Sequence, residues 1–209
     1  MFLDIGANEG FFSALAGRCV GPQGLVLAVE PQRRLRDVIE LNLRLNDVRR
    51  FRVYRNAFGG ADGTAGRIHL YPSLNSGVAS IGRRYRLARR ADDFTFVDLA
   101  RIMQDCSIGK VDFVKVDVEG FEHRVVRSLL PHLTAGVIGG LHIDFHAPLL
   151  RAAGIEPTDV HQSILDEGYQ VALGDAQHLN SYLLYERADA TSAGAGAASG
   201  DAGGRQSSR

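Results

Sequence analysis

Residues Phe2–Phe12 read FLDIGANEGFF: a short apolar run carrying one acid, then Gly6, Asn8 and Gly10 spaced through a turn, then aromatics. The run predicts a strand, the glycines free the backbone for tight turning, and Phe11–Arg18 predicts a helix. Glycine brings bare amides close to whatever lies beside the turn, and the helix N-terminus adds its own. A strand-to-helix turn without any ligand has the same pattern. What the turn does is therefore decided elsewhere in the chain.

Working outward, strand-like and helix-like segments alternate. GLVLAVEP (Gly24–Pro31) is a nearly continuous apolar strand ending in an acid, and Arg34–Leu45 repeats apolar residues at helical spacing. RFRVYRNAF (Arg50–Phe58) alternates like a half-buried strand. The stretch Gly59–Arg90 carries turn signals and one expected strand at Arg67–Tyr71. TFVDLARIMQDC predicts a helix capped by Asp92 or Asp93. VDFVKVDVEG (Val111–Gly120) is a strand running into an acidic turn, followed by a helix over Glu122–Leu133 and the strand GVIGGLHIDFH, Gly136–His146. Thr158–Gly168 is helical, and YQVAL and SYLLYER close the domain. Strands separated by helices imply βαβ units and a mainly parallel sheet. The final pair is joined too closely for a crossover and predicts an antiparallel hairpin. From Ala188 the chain is Ala, Gly, Ser, Asp and Arg with almost no large apolar residue, so 1–187 is expected to be one domain and 188–209 a disordered tail.

With 209 residues, 45% of them hydrophobic, the chain suffices for one cored domain. Twenty-four basic and 24 acidic side chains balance, so no net field draws it to nucleic acid or a membrane. No apolar run reaches the roughly 18 residues of a membrane span. Cys19 and Cys106 lack CxxC spacing and read as free thiols of a cytoplasmic protein. The first strand begins almost at Met1, from which a chain shortened at its N-terminus is expected.

Two acids give the turn a meaning. Glu30 ends the second strand, where a carboxylate can accept hydrogen bonds from both ribose hydroxyls of a nucleotide-type ligand. The turn itself reads DxGxNxG rather than GxGxxG. Asp4 would repel a diphosphate there and would meet an amino acid's ammonium. A ligand that is adenosine at one end and an amino acid at the other suits both, and S-adenosylmethionine is such a ligand.

The segments LDIGANEGFFS, VLAVEP, ELNLRLN, VYRNAFGG, KVDFVKVDVEGFE and the later IDFH occur in the order found in the FkbM-type S-adenosylmethionine-dependent methyltransferases, which this sequence resembles over roughly residues 2–146. The resemblance implies an α/β, Rossmann-like, doubly wound and mostly parallel seven-stranded sheet with one antiparallel strand, the class I methyltransferase fold. It also implies O-methylation of a sugar or natural-product small molecule. Carried over by position, it puts Asp4, Gly6, Asn8 and Gly10 around the cofactor's methionine part and Glu30 on its ribose. Asn56 and Ala57 would flank the adenine, with Asp117 and Glu119 at the ligand end of a strand.

Methyl transfer needs an aligned nucleophile and often removal of its proton. Lys115, Asp117 and Glu119 alternate onto one face as their strand ends. Asp117 is expected to bind cofactor or act in catalysis. Glu119 is a catalytic candidate or, alternatively, a cap for the helix from Phe121. His142, Asp144 and His146 recur at period two; these are also metal-ligand types, yet no resident metal is expected. His142 reads as a core residue, and His146 as the general base, because an unperturbed imidazole titrates near neutrality. His123 and Arg124 read as solvated helix face. The arginine run Arg83–Arg90 reads as a solvated segment, with Tyr85 the alternative contact for an anionic or sugar acceptor, and Ser76 lies where a substrate loop is expected. A non-catalytic relative that only binds the cofactor is the rival reading. A nicotinamide-dependent oxidoreductase is disfavoured by Asp4, by Asn8 and by the absence of a Tyr-x-x-x-Lys pair.

Overall fold

A computed structural model describes residues 1–70, 79–81, 90–177 and 179–188 of the chain. Ser76, Tyr85 and the tail from 189 onward, on which the sequence raises expectations, lie outside the described residues. The strands β1 (Phe2–Ile5), β2 (Val26–Val29), β3 (Phe51–Tyr54), β7 (Val111–Val116), β8 (Ile138–Asp144), β9 (Tyr169–Leu173) and β10 (Tyr182–Arg187) form one sheet in the order β3-β2-β1-β7-β8-β10-β9. All neighbours are parallel except β10, which runs antiparallel to both β8 and β9. The fold expected from the sequence is therefore present.

Alternation along the strands assigns side chains to two helical layers. Leu27 and Val29 join the large core under α3 (Leu99–Cys106), α4 (Glu122–Thr134) and α6 (Pro157–Leu165). Val26 and Ala28 face the other way, into the smaller core under α1 (Phe11–Cys19) and α2 (Arg36–Leu45). A strand buried on both faces has to be apolar at every position, which is why β2 reads as an unbroken hydrophobic run. On β1 the same alternation sends Leu3 and Ile5 to the large core and Asp4 to the side of α1.

From β1 the chain winds outward through β2 to β3, then returns to pair β7 on the other side of β1. Ligand crevices of open α/β sheets lie at such a reversal, beyond the carboxyl ends of the strands. Gly6, Glu30 and Asp117 all sit at those ends.

Several local expectations are corrected. Asp92 and Asp93 do not cap α3. They lie in β6 (Arg90–Thr95), where Asp93 pairs across the strand with Arg67 at 2.6 Å, and Asp98 caps the helix by accepting from the Arg101 amide at 2.8 Å. The strand expected over Arg50–Phe58 stops at Tyr54, because Ala57 turns to bridge Phe96. The strand expected at Arg67–Tyr71 is present as β4 (Ala65–Leu70), the centre of a second, antiparallel sheet between β5 (Ala79–Ile81) and β6. A short helix α5 (Ala147–Ala152), which no sequence pattern marks, follows β8. Both cysteines are free. Among the described residues no helix is long and apolar enough to cross a membrane.

Candidate active site

The turn after β1 is pressed against the end of β7. Gly6 has φ 80°, and a Cβ there would lie 1.9 Å from the Asp117 carbonyl oxygen, so no other residue fits. Asn8 also takes a left-handed conformation, φ 50°. Its backbone N–H donates to Glu30 Oε2 at 3.0 Å, and the Gln32 N–H donates to Glu30 Oε1 at 3.0 Å. Glu30 is only 5% exposed. Burial pushes its carboxyl above the usual range, against the lowering effect of the two backbone donors, and the nearby Asp4 adds to the rise. The Gln32 side chain is a third hydrogen-bond partner of this carboxylate, whose four lone pairs leave room for at least one hydroxyl besides.

These groups open onto a cleft lined by Gly6, Asn8, Glu30, Asn56, Ala57, Asp117 and Glu119, together with Gln32, Ile68 and Phe121 among others. Asn56 is held by donating to the backbone oxygen and hydroxyl of Thr95. Phe121 stacks on Phe96 with the rings 12° from coplanar, and Ile68 comes from the second sheet, which therefore builds one wall. Asp4 and Gly10 do not line the cleft. Asp4 is fully buried beneath α1, where it accepts from the Ser13 hydroxyl at 2.6 Å and pairs with Lys115 at 3.2 Å. Gly10 precedes α1 with φ 83° and packs against Ile39.

At the β7 end of the cleft, charges of alternating sign form a chain. Lys115 Nζ lies 3.5 Å from Asp117 Oδ2, and Asp117 Oδ1 lies 3.9 Å from His146 Nε2. That same Nε2 is 3.6 Å from Glu119 Oε2. The other ring nitrogen, Nδ1, is 2.7 Å from Glu122 Oε1, and Glu122 is wholly buried. The hydrogen bond with Glu122 raises His146 to about 9, in spite of a desolvation effect in the opposite direction. The near-neutral titration expected from the sequence is displaced by this partner. Burial raises Glu119, with His146 opposing. Glu119 has φ 50° and does not cap α4; the carboxylate that accepts the Gly120 amide there is Glu122, at 2.9 Å.

Asp144 lies close by, and it, Asp117 and His146 each offer an atom within 4.8 Å of the others, a set able to hold a cation. His142 stacks on Tyr182 with centroids 5.5 Å apart. The solvated face expected of His123 and Arg124 is partly covered: both pack on the Phe121 ring, and burial lowers the His123 imidazole.

The donors suit a cationic nucleoside. Glu30 offers a desolvated carboxylate backed by amides, the Gly6 turn allows close backbone approach, and Asp117 and Glu119 supply negative charge at the far end. Sequence reasoning misses Gln32, Ile68 and Phe121 as lining residues and Glu122 as the partner of His146. Gln32 directly follows GLVLAVEP, and Phe121 directly follows VDFVKVDVEG, so both adjoin motifs that the sequence does mark. Ile68 carries no sequence signal, since only the second sheet brings it to the cleft.

Among known families, the one described as the methyltransferase FkbM domain matches residues 4–171. No curated protein matches the sequence. Among solved structures, the fibrillarin pre-rRNA processing protein of Methanococcus jannaschii superposes with a TM-score of 0.50 at 11% identity, over 89% of this chain and 65% of that one. Magnesium protoporphyrin IX methyltransferase from Synechocystis PCC 6803, with bound SAH, gives 0.48 at 13% identity over 90% of this chain and 74% of that one. A SAM-dependent methyltransferase from Aquifex aeolicus gives 0.46 at 14% identity, over 88% and 80%. At such identities the first of these speaks to the fold alone.

Proposed function

The chain belongs to the FkbM methyltransferase family, and from that premise we propose that it moves the methyl group of S-adenosylmethionine to a hydroxyl of a sugar or natural-product small molecule. When bound, the cofactor supplies an electrophilic methyl carbon on a positively charged sulfur. Gly6, Asn8, Glu30, Asn56, Ala57 and Asp117 would hold it, with Glu30 taking the ribose hydroxyls. Asp4 serves that site from behind, through Lys115, and Gly10 by setting the start of α1.

A hydroxyl must lose its proton as it attacks, so the acceptor needs a base at the cleft. His146 carries its proton at neutral pH, since Glu122 holds its imidazole up near 9. It therefore cannot take another proton. Glu119 is the better base: it lines the cleft, has a carboxyl raised by desolvation, and faces the imidazolium across 3.6 Å. His146 then orients the Glu119 carboxylate and stabilises it as a charge partner, while Asp117 lies between this group and the cofactor turn. The single observation that carries the reading is that the buried Glu30 and Glu119, the partner of His146, line one cleft. The two free thiols accord with a reducing, cytoplasmic setting.

The test is incubation with methyl-labelled S-adenosylmethionine and panels of saccharides and polyketide alcohols. Label on a hydroxyl oxygen, lost when that hydroxyl is blocked, is the expected result. Label on nitrogen or carbon alone would overturn the assignment.

A further inference from the structure

Lys115, through which Asp4 reaches the site, is a buried lysine with its side chain 5% exposed. Its ammonium donates to the Gly6 carbonyl at 3.1 Å, and lies 3.2 Å from Asp4 Oδ1 and 3.5 Å from Asp117 Oδ2. The Phe12 ring covers it at 5.1 Å. Two of the three oxygens it holds belong to residues lining the cleft, and they come from the ends of different strands. Asp4 and Lys115 are register partners on β1 and β7, so the cation starts from a fixed point in the sheet and reaches forward to both turns.

We propose that Lys115 is a positioning residue that ties the Gly6 turn to Asp117 and so sets the cofactor-facing geometry of the cleft. This rests on the cofactor assignment above. A fully buried Asp4 alone would explain a buried lysine as a neutralising partner. It does not explain why the same ammonium also holds Gly6 and Asp117. Three donors on one flexible stem suit a junction of three oxygens, a task for which the planar guanidinium of arginine is the wrong shape.

The structural and positioning roles separate in a pair of variants. Lys115→Met leaves Asp4 buried without its cation, so lower thermal stability is expected whichever role Lys115 has. Asp4→Asn/Lys115→Met removes both charges, leaves an amide near the Ser13 hydroxyl, and is expected to recover most of that stability. Two measurements on the double variant then decide. Calorimetry with S-adenosylhomocysteine is expected to show affinity at least tenfold below the native chain. Amide hydrogen exchange is expected to accelerate at least tenfold at Ala7 and Asp117, whose N–H groups bond Val29 and Ile5 oxygens in the native turn. Native affinity and native exchange in the double variant would overturn the proposal and reduce Lys115 to the counter-ion of Asp4. A native chain that fails to bind S-adenosylhomocysteine would defeat the cofactor assignment instead, and the exchange measurement would still decide the role of Lys115.

Discussion

His146 Nδ1 lies 2.7 Å from Oε1 of the wholly buried Glu122, two residues 24 positions apart that meet beneath the cleft. The pairing raises the imidazole from 6.5 to about 9, so protonation is linked to folding. Below about pH 6.5 the ring is protonated in both folded and unfolded chains, and the stabilisation is fully present. It is lost as pH rises through about 9. The loss should approach about 3 kcal/mol, since each pH unit separating the folded from the unfolded titration is worth roughly 1.4 kcal/mol. Urea titrations between pH 6 and 9.5 should show the stability advantage of the native chain over a His146→Gln variant shrinking across that window. The comparison between the two proteins cancels the contributions of the raised carboxyls of Glu30 and Glu119 and of the imidazoles that burial lowers, His123, His132, His142 and His161. An advantage of the same size at pH 6.5 and at pH 9 would contradict the assignment.

Glu119→Gln keeps shape and removes the base. Single-turnover methyl transfer should slow by roughly 10²- to 10⁴-fold, the usual range for a lost general base. Affinity for S-adenosylhomocysteine should stay within threefold, since the role proposed for this carboxylate is toward the acceptor rather than the ribose. Slowing accompanied by an equal loss of cofactor affinity would move Glu119 into the binding set.

Gly6→Ala places a methyl group 1.9 Å from the Asp117 carbonyl, at a φ of 80° that side chains rarely adopt. Destabilisation of roughly 2–4 kcal/mol is expected, from backbone strain together with a forced separation of β1 and β7. Chemical denaturation measures it. A neutral substitution would mean that the close approach of the two turns is not needed.

Much of this site is legible in the sequence because parallel, doubly buried strands announce themselves. Leu27 and Val29 serve one core and Val26 and Ala28 the other, so β2 reads as a strand without any alternation, and its terminal Glu30 stands out. The misplacements have equally definite causes. The sequence points Asp4 at a ligand, but the period of two turns it to α1 and Ser13. Asp92 and Asp93 resemble caps because they precede a helical pattern. Their partners, the β4 strand and Arg67, lie some 25 positions upstream, and Arg67 pairs with Asp93 across 26 positions. Glu122 is legible as the start of a helix and not as the partner of His146, since nothing local links a helix start to a residue two positions past a later strand.

Most depends on the claim that Glu30 holds the cofactor's ribose. Titration calorimetry with S-adenosylhomocysteine on the native chain and on Glu30→Ala tests it directly. Clear binding to the native chain is predicted, with a loss of about 1–3 kcal/mol in the variant, the cost of charge-assisted hydrogen bonds removed from a buried site. Equal affinity in the two proteins, with the variant folded, would contradict it.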